Sequence, residues 1–299
     1  MTLASCDSRK TAGENPFFTE WDTPHGVPPV DKILPEHFMP AFERGMSLHE
    51  AEIDAITSNK DEATFENTIL AYDNAGQMLA QTELVFGMLC AAETNDRMQA
   101  LQEQAMPLLA AHRDKIRLDD KLFVRVKEVY DRRAALGLDA EQMRLLQKTY
   151  DSFVRAGALL DAEQKARLKE INGQLSLTAV KFGNNILAEN NNFVLELKSD
   201  ELDGLPAGIR DAAREKAQQM GKGDKWVFTL HKPSLIPLLT YSTRRDLREK
   251  IYKAYLNRCN SGDEYDNKQL INDFIRLRTE KAHLLGYPCL LYTSPSPRD

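Results

Sequence analysis

The sequence lacks long apolar runs and paired cysteines. No hydrophobic stretch is long enough to cross a bilayer. The four cysteines, Cys6, Cys90, Cys259 and Cys289, are irregularly spaced and form no C-x-x-C pair, which argues against a zinc ribbon or a disulfide framework. The formal net charge of −6 gives no basic excess for nucleic acid. With 42% hydrophobic and 28% charged residues, the 299-residue chain has the composition of an ordinary globular protein.

The motifs of several enzyme classes are also missing. The sequence contains no G-x-S-x-G, no Walker phosphate loop and no G-x-G-x-x-G. A helical zinc site needs two histidines four residues apart, with a glutamate beside the first, and no two of the six histidines have that spacing. The nearest approach is His49-Glu50-Ala51-Glu52-Ile53, where isoleucine replaces the second ligand. We interpret His49 and Glu50 as polar residues of an amphipathic helix, and we predict no catalytic residue and no metal ligand in this chain.

What is present is mainly helical periodicity. Between residues 98 and 116, residues of one face recur mostly every three or four positions, which predicts a helix. This face comprises Met98, Leu101, Ala105, Leu108, Leu109, His112 and Ile116. Pro107 lies within the pattern and predicts a kink or a break nearby. Asp139 and Asp161 each precede a glutamine by three positions, which predicts that a helix begins at both places.

Near residue 193 the period changes from helical to alternating, which predicts two short strands. The alternating residues are Phe193, Leu195 and Leu197 in one segment and Trp226, Phe228 and Leu230 in the other. A helix is expected between them, ending at Gly221. This order allows a parallel or a mixed pairing. Because no linker is visible between residues 40 and 286, we expect one mainly α-helical body with a small β element around residues 193–230.

The first fifteen residues form a polar leader with one candidate modification site. Leu3-Ala4-Ser5-Cys6 resembles the lipobox of bacterial lipoproteins, in which the cysteine is lipidated. A secretory signal needs a basic region and an apolar core before that motif, and here Met1 and Thr2 precede it. Either Met1 lies inside a longer leader, and the protein is tethered to the cell envelope through Cys6, or the match is chance and the protein is cytoplasmic.

Seven further segments form an ordered series along the chain. They are PVDKILPEHFMPAF (29–42), ATFENTI (63–69), FVRAGAL (153–159), ARLKEIN (166–172), FGNNI (182–186), STRRDLR (242–248) and LRTEKAHLLGY (277–287). The series resembles the N-terminal half of the M3 zinc peptidases, the thimet oligopeptidase-like family, over about residues 16–288. NPFFTEW (15–21) and NNNFV (190–194) are more similar to the peptidyl-dipeptidase branch than to the oligopeptidase A branch.

This resemblance implies a fold and an activity for the complete protein. The chain would be the helical N-terminal lobe of a two-lobed clamshell peptidase that admits short peptides and acts as a monomer. The family binds zinc through H-E-x-x-H and a later glutamate in its second half, so the complete protein would hold zinc and this chain would bind none. The function implied is that of a zinc-dependent peptidyl-dipeptidase whose catalytic half is absent here, which leaves this chain inactive.

The end of the chain departs from the family pattern. After Pro288 the sequence reads CLLYTSPSPRD (289–299), which resembles translated sequencing-adapter read-through and which we expect to be non-native. Its Ser-Pro steps also disfavour a helix. Two alternatives remain: an endopeptidase of the oligopeptidase A type, or a non-catalytic helical protein that binds peptides. The second alternative requires that the chain end is genuine.

Overall fold

The computed structural model describes residues 15–293 and is mainly helical, as predicted. The helices and strands are α1 (Phe38–Ser58), a π-helix (Phe65–Leu70), α2 (Ala71–Asp73), α3 (Gln77–Ala92), α4 (Asp96–Arg117), α5 (Asp120–Asp131), α6 (Ala140–Ala156), α7 (Ala162–Asn192), β1 (Leu195–Leu197), α8 (Ala207–Gln219), β2 (Trp226–Phe228), α9 (Lys232–Tyr241), α10 (Arg245–Leu256) and α11 (Lys268–Leu284). Among these residues, no helix is long and apolar enough to span a membrane.

The described residues divide into two compact units. Unit 1 comprises the residues up to Leu177 together with those from Arg278 onward, and unit 2 is Thr178–Leu277. The sequence led us to expect a single body because no linker is visible. Both boundaries fall inside helices, α7 and α11, so no change in composition marks them.

Unit 1 contains an aromatic core near its first helix. Phe17 belongs to the proline-rich segment before α1, and its ring lies 5.4 Å from that of Phe38. Phe38 in turn lies 4.9 Å from Phe86 of α3, and Phe42 lies 5.3 Å from the same ring. Ring pairs at these distances are favourable beyond their buried area. The segment before α1 is therefore anchored by its aromatic side chains.

A second core in unit 1 joins α1, the π-helix, α5 and α6. Ile53 and Ile56 of α1 are buried in it beside Leu122, Leu146 and Phe153.

Both predicted helix caps are present. The Asp139 side chain accepts a hydrogen bond from the backbone N–H of Gln142 at 2.8 Å, and the Asp161 side chain accepts one from the backbone N–H of Gln164 at 2.8 Å.

The helix α4 differs in part from its prediction. Residues Met98, Ala105, Leu109, His112 and Ile116 are buried along one face, as expected. Leu108, which we had assigned to the same face, is 46% exposed. Pro107 does not break the helix, which runs without interruption from Asp96 to Arg117. Burial on both sides of the proline offsets the backbone hydrogen bond that its ring removes.

Unit 2 is built around the two predicted strands. They pair antiparallel, with Leu195 opposite Phe228 and Leu197 opposite Trp226. The sequence allowed a parallel or mixed sheet, and that expectation was wrong. The helix between the strands, α8, packs on β2 and turns the chain back, and it ends before Gly221 as predicted. The apolar side chains that face α8, α9 and α10 form the core of this unit.

Candidate functional site

The structure brings a third residue to the pair that the sequence had singled out. His49 and Glu50 lie on α1, and His112 of α4 lies against both. The Nε2 atom of His112 is 3.1 Å from the Nδ1 atom of His49. Its Nδ1 atom is 3.5 Å from Glu50 Oε1, and Lys115 Nζ is 2.8 Å from the other oxygen of that carboxylate. We call these four side chains the His49–His112 cluster.

Burial determines the charge of the two imidazoles. The side chain of His112 is only 2% exposed. Burial lowers the pKa of His112, and burial together with the neighbouring His112 lowers the pKa of His49. Two neutral rings satisfy the geometry if His49 donates its Nδ1–H to His112 Nε2 and His112 carries its own proton on Nδ1, facing Glu50. At 3.5 Å that last contact is longer than an ordinary hydrogen bond.

The turn before α3 closes the cluster on a third side. Gly76 precedes α3 with a φ of +75°, and a Cβ atom there would lie 2.8 Å from His49 Nδ1. Its backbone N–H donates to Glu52 Oε2 at 2.7 Å. A side chain at position 76 would therefore displace the His49 ring. The cluster joins α1 and α4, with the start of α3 packed against it.

The zinc that the family resemblance implies does not fit this cluster. The two imidazole nitrogens that converge, His49 Nδ1 and His112 Nε2, form a hydrogen bond with each other. Glu50 faces the opposite edge of the His112 ring and forms an ion pair with Lys115. Glu52 accepts a hydrogen bond from the backbone N–H of Gly76. Zinc in a peptidase needs three protein ligands around one point. Within residues 15–293, no three His, Cys, Asp or Glu side chains come together in that way. Ile53, at the position of the missing ligand, is buried in the core. The absence of a zinc ligand from the whole chain stays a prediction.

Two residues of the cluster, His112 and Lys115, were not singled out from the sequence, although His112 carried a signal. His112 was assigned to an apolar stripe, and a buried histidine needs a polar partner. His49 could not be identified as that partner from the sequence alone, because 63 positions separate the two histidines. The other residue singled out from the sequence, Cys6, lies outside the described residues.

Two basic residues near the start of α10, Arg244 and Arg248, are engaged within unit 2. Arg244 forms a bidentate pair with Asp246, at 3.0 and 2.8 Å. Arg248 donates to the backbone oxygen of Ser242. These contacts fix the conformation of the chain at the start of α10. They also pair the guanidinium groups of Arg244 and Arg248 within the chain, so that these groups are not free to bind an anion.

Residues of the segments that carry the family resemblance connect helices of unit 1 through hydrogen bonds and an ion pair, and we call such a set of contacts between helices a joint. Asn172 of α7 donates to Asp114 of α4 at 2.8 Å and accepts from Lys281 Nζ of α11 at 2.6 Å. Arg167 of α7 pairs with Glu280 of α11 through two nitrogens, at 2.6 and 2.9 Å. Burial raises the pKa of Asp114 and lowers that of Lys281. The joint therefore fixes three helices relative to one another.

A comparable joint lies within unit 2. Asn185 of α7 donates to Asn267 Oδ1 at 2.8 Å, and Asn267 donates to the backbone oxygen of Phe182 at 3.2 Å. Both asparagine side chains are buried. The segment FGNNI thus contributes a buried polar pair, which specifies the packing of this unit.

Comparison with known proteins finds relatives among the M3 peptidases. A profile described as Peptidase family M3 matches residues 238–295, which includes part of the segment 289–299 that we expect to be non-native. The chain is 36% identical to dipeptidyl carboxypeptidase of Escherichia coli (strain K12) over 275 residues, which are 92% of this chain and 40% of that protein. It is 26% identical to oligopeptidase A of the same strain over 270 residues, 89% of this chain and 40% of that protein.

A more distant relative extends the same pattern beyond bacteria. The thimet-like oligopeptidase of Dictyostelium discoideum is 23% identical over 256 residues, 84% of this chain and 36% of that protein. The chain thus spans about two fifths of the length of the curated relatives it matches. The matched stretch of the dipeptidyl carboxypeptidase covers 92% of this chain and so includes residues of both units. This chain belongs to the M3 peptidase family.

Proposed function

We propose that this chain is the N-terminal part of a zinc-dependent peptidyl-dipeptidase, an enzyme that releases dipeptides from the free C-termini of short peptides. One observation carries the proposal over the oligopeptidase A alternative. Identity to the E. coli dipeptidyl carboxypeptidase is 36%, against 26% for oligopeptidase A of the same strain over nearly the same length. The activity is proposed for the whole protein, because the chain spans only 40% of either relative.

Within that enzyme, we assign an architectural role to the residues described here. The His49–His112 cluster and the joint at Asn172 connect helices. Neither arrangement offers three metal ligands around one point, so no step of peptide hydrolysis is derived from them. By itself the 299-residue chain is proposed to be inactive.

The DNA downstream of codon 288 offers a direct test. An open frame that encodes H-E-x-x-H, found by sequencing the native locus, supports the proposal. An in-frame stop on independently isolated DNA would instead favour the non-catalytic peptide-binding protein.

A chimera tests whether this chain can take the place of the corresponding segment in a working peptidyl-dipeptidase. This chain would replace the matched segment of the E. coli dipeptidyl carboxypeptidase, and the product would be incubated with a peptide that has a free C-terminus. We expect dipeptides in the mass spectrum. The matched control is the same peptide with a C-terminal amide, which removes the carboxylate that such an enzyme recognises. Internal cleavage of both peptides at equal rates would support the endopeptidase alternative.

We also propose that Cys6 is lipidated and tethers the complete protein to the cell envelope. The support is the Leu3-Ala4-Ser5-Cys6 motif followed by a polar segment. Expression of the native gene in bacteria with radiolabelled palmitate would give a labelled band that Cys6→Ser abolishes. A band that carries no label in either variant would contradict the lipidation of Cys6.

A further inference from the structure

The helix α3 is unusually apolar for a helix on the surface. Within Gln77–Ala92, Glu83 is the one charged residue, and it pairs with Arg113 of α4 at 3.3 Å. One side of the helix is buried in the aromatic core of unit 1. The opposite side is also free of charge, although a surface helix ordinarily places charged as well as polar residues there. We call this exposed side the outer face of α3; its residues are Gln77, Ala80, Gln81, Leu84, Gly87, Met88 and Ala91, of which the two glutamines at its start are polar.

Two side chains on this outer face expose large apolar surface. Leu84 is 75% exposed and Met88 is 46% exposed. They lie four residues apart, one helical turn, and so form a continuous ridge. Single exposed apolar residues are common, whereas large contiguous apolar patches mark interaction surfaces, and Leu84 and Met88 adjoin each other here.

Clefts flank the ridge on both sides. A cleft of about 900 Å³ lies between Leu84 and the segment that carries Phe18 and Trp21. A second cleft, of about 360 Å³, is lined by Gly87 and Ala91 of α3 and by Met106 of α4. A ridge between two grooves is the shape that receives the side chains of another helix.

Among the residues that the structure describes, none packs so closely against Gly87 that a glycine is needed there. Glycine in the middle of a helix is less stable than alanine. A Cβ atom at position 87 would meet nothing within 4 Å, so internal packing does not require glycine. On α1, by contrast, a Cβ atom at Gly45 would lie 3.0 Å from the Cα atom of Leu79 in α3. Gly45 therefore permits the close approach of two helices, and Gly87 offers the same opportunity on the outer face.

We infer that the outer face of α3 binds a helix from the part of the M3 polypeptide that the relatives contain and this chain does not. This inference rests on the proposed function. The chain spans 40% of its E. coli relatives, so a large polypeptide is available to cover the face. The partner is identified by its chemistry: an apolar, uncharged helix whose backbone approaches Gly87 and whose side chains lie on either side of Leu84.

Hydroxyl-radical footprinting tests this assignment directly. The 299-residue chain and the chimera with the E. coli dipeptidyl carboxypeptidase would be oxidised under identical conditions. We expect the labelling of Met88 and Leu84 to fall at least fivefold in the chimera, while Val124, which is 53% exposed on α5, serves as the internal reference. Equal labelling of Met88 in both proteins would overturn the inference. Protection that rises with the concentration of the 299-residue chain alone would identify a second copy as the occupant and would also overturn it.

Matched substitutions give a second readout that does not depend on activity. Leu84→Gln and Val124→Gln should each leave the Tm of the 299-residue chain within about one degree, because both side chains are exposed there. In the chimera we expect Leu84→Gln to lower the Tm by several degrees more than Val124→Gln. Equal shifts in the chimera would contradict the inference. Protection of Met88 in a chimera without peptidase activity would support the interface and count against the proposed function, whereas activity without protection would count against the interface alone.

Discussion

The Nδ1 atom of His49 lies 3.1 Å from the Nε2 atom of His112, across the contact between α1 and α4. At that distance one nitrogen must donate and the other must accept. If both rings were protonated, two N–H groups would face each other and the two positive charges would repel. The junction of these helices therefore depends on at least one of the imidazoles remaining neutral.

The free energy of unfolding should fall as the pH drops below about 6.5. The folded state lowers the pKa of both His49 and His112 below the ordinary value of 6.5, so the unfolded chain binds more protons below that pH. Stability is therefore unaffected well above pH 6.5 and decreases from there toward acid, by at most about 1.4 kcal/mol per pH unit for each histidine. Urea titrations between pH 7.5 and 5 would measure the slope.

Two variants show whether the cluster is responsible for this slope. His49→Gln removes one titrating ring and the repulsion between them, so the stability of that variant should change less between pH 7 and 5. His25 is exposed and has a φ of +61°, so His25→Asn, which tolerates that conformation, is the matched control and should keep the slope of the parent. An unchanged slope in His49→Gln would show that other groups cause the acid sensitivity.

Two glycine-to-alanine substitutions should have opposite effects. Gly204 has a φ of +81°, and a Cβ atom there would lie 2.3 Å from the backbone oxygen of Tyr241. Gly204→Ala should therefore destabilise unit 2 by about 2–4 kcal/mol. Gly87 is helical with open space around it, so Gly87→Ala should stabilise the 299-residue chain by about 0.5–1 kcal/mol. Thermal melts of both variants beside the parent would measure the two effects, and a loss of stability in Gly87→Ala would contradict the helix argument.

The capping box at the start of α6 should contribute measurably to stability. Asp139 accepts from the backbone N–H of Gln142, and the Gln142 side chain accepts from that of Asp139 at 3.1 Å. Asp139→Ala should lower the free energy of unfolding by about 1 kcal/mol. Glu141 lies in the same turn without a role in the box, so Glu141→Ala is the control, and equal losses in the two variants would show that charge rather than capping is responsible.

The features that were predicted from the sequence are the local ones. The helix starts at Asp139 and Asp161 follow from the reach of a side chain over three residues, and the strands around Leu195 and Phe228 follow from alternation over a few positions. Each of these signals is contained within one turn or one strand. No knowledge of distant residues is needed to interpret them.

The features that were missed depend on residues far apart in the chain. The antiparallel pairing of β1 and β2 is set by how α8 turns back over β2, which neither strand encodes. The continuity of α4 through Pro107 depends on the core that buries Ala105 and Leu109. The contact between His49 and His112 spans 63 positions and requires the packing of α1 on α4. Tertiary contacts decide each of these, so one sequence without its fold could not reveal them.

The purified 299-residue chain should retain no stoichiometric zinc after dialysis. The described residues bring no three potential ligands together, and the imidazoles of His49 and His112 bond each other. Metal analysis after dialysis, together with hydrolysis of a blocked tripeptide, would measure this, with the E. coli dipeptidyl carboxypeptidase treated in parallel as the positive control. His112→Ala distinguishes incidental binding, because a trace of zinc held by the two imidazoles would disappear in that variant. One equivalent of zinc retained by the parent chain, together with hydrolysis of the tripeptide, would contradict the assignment of an architectural role to these residues.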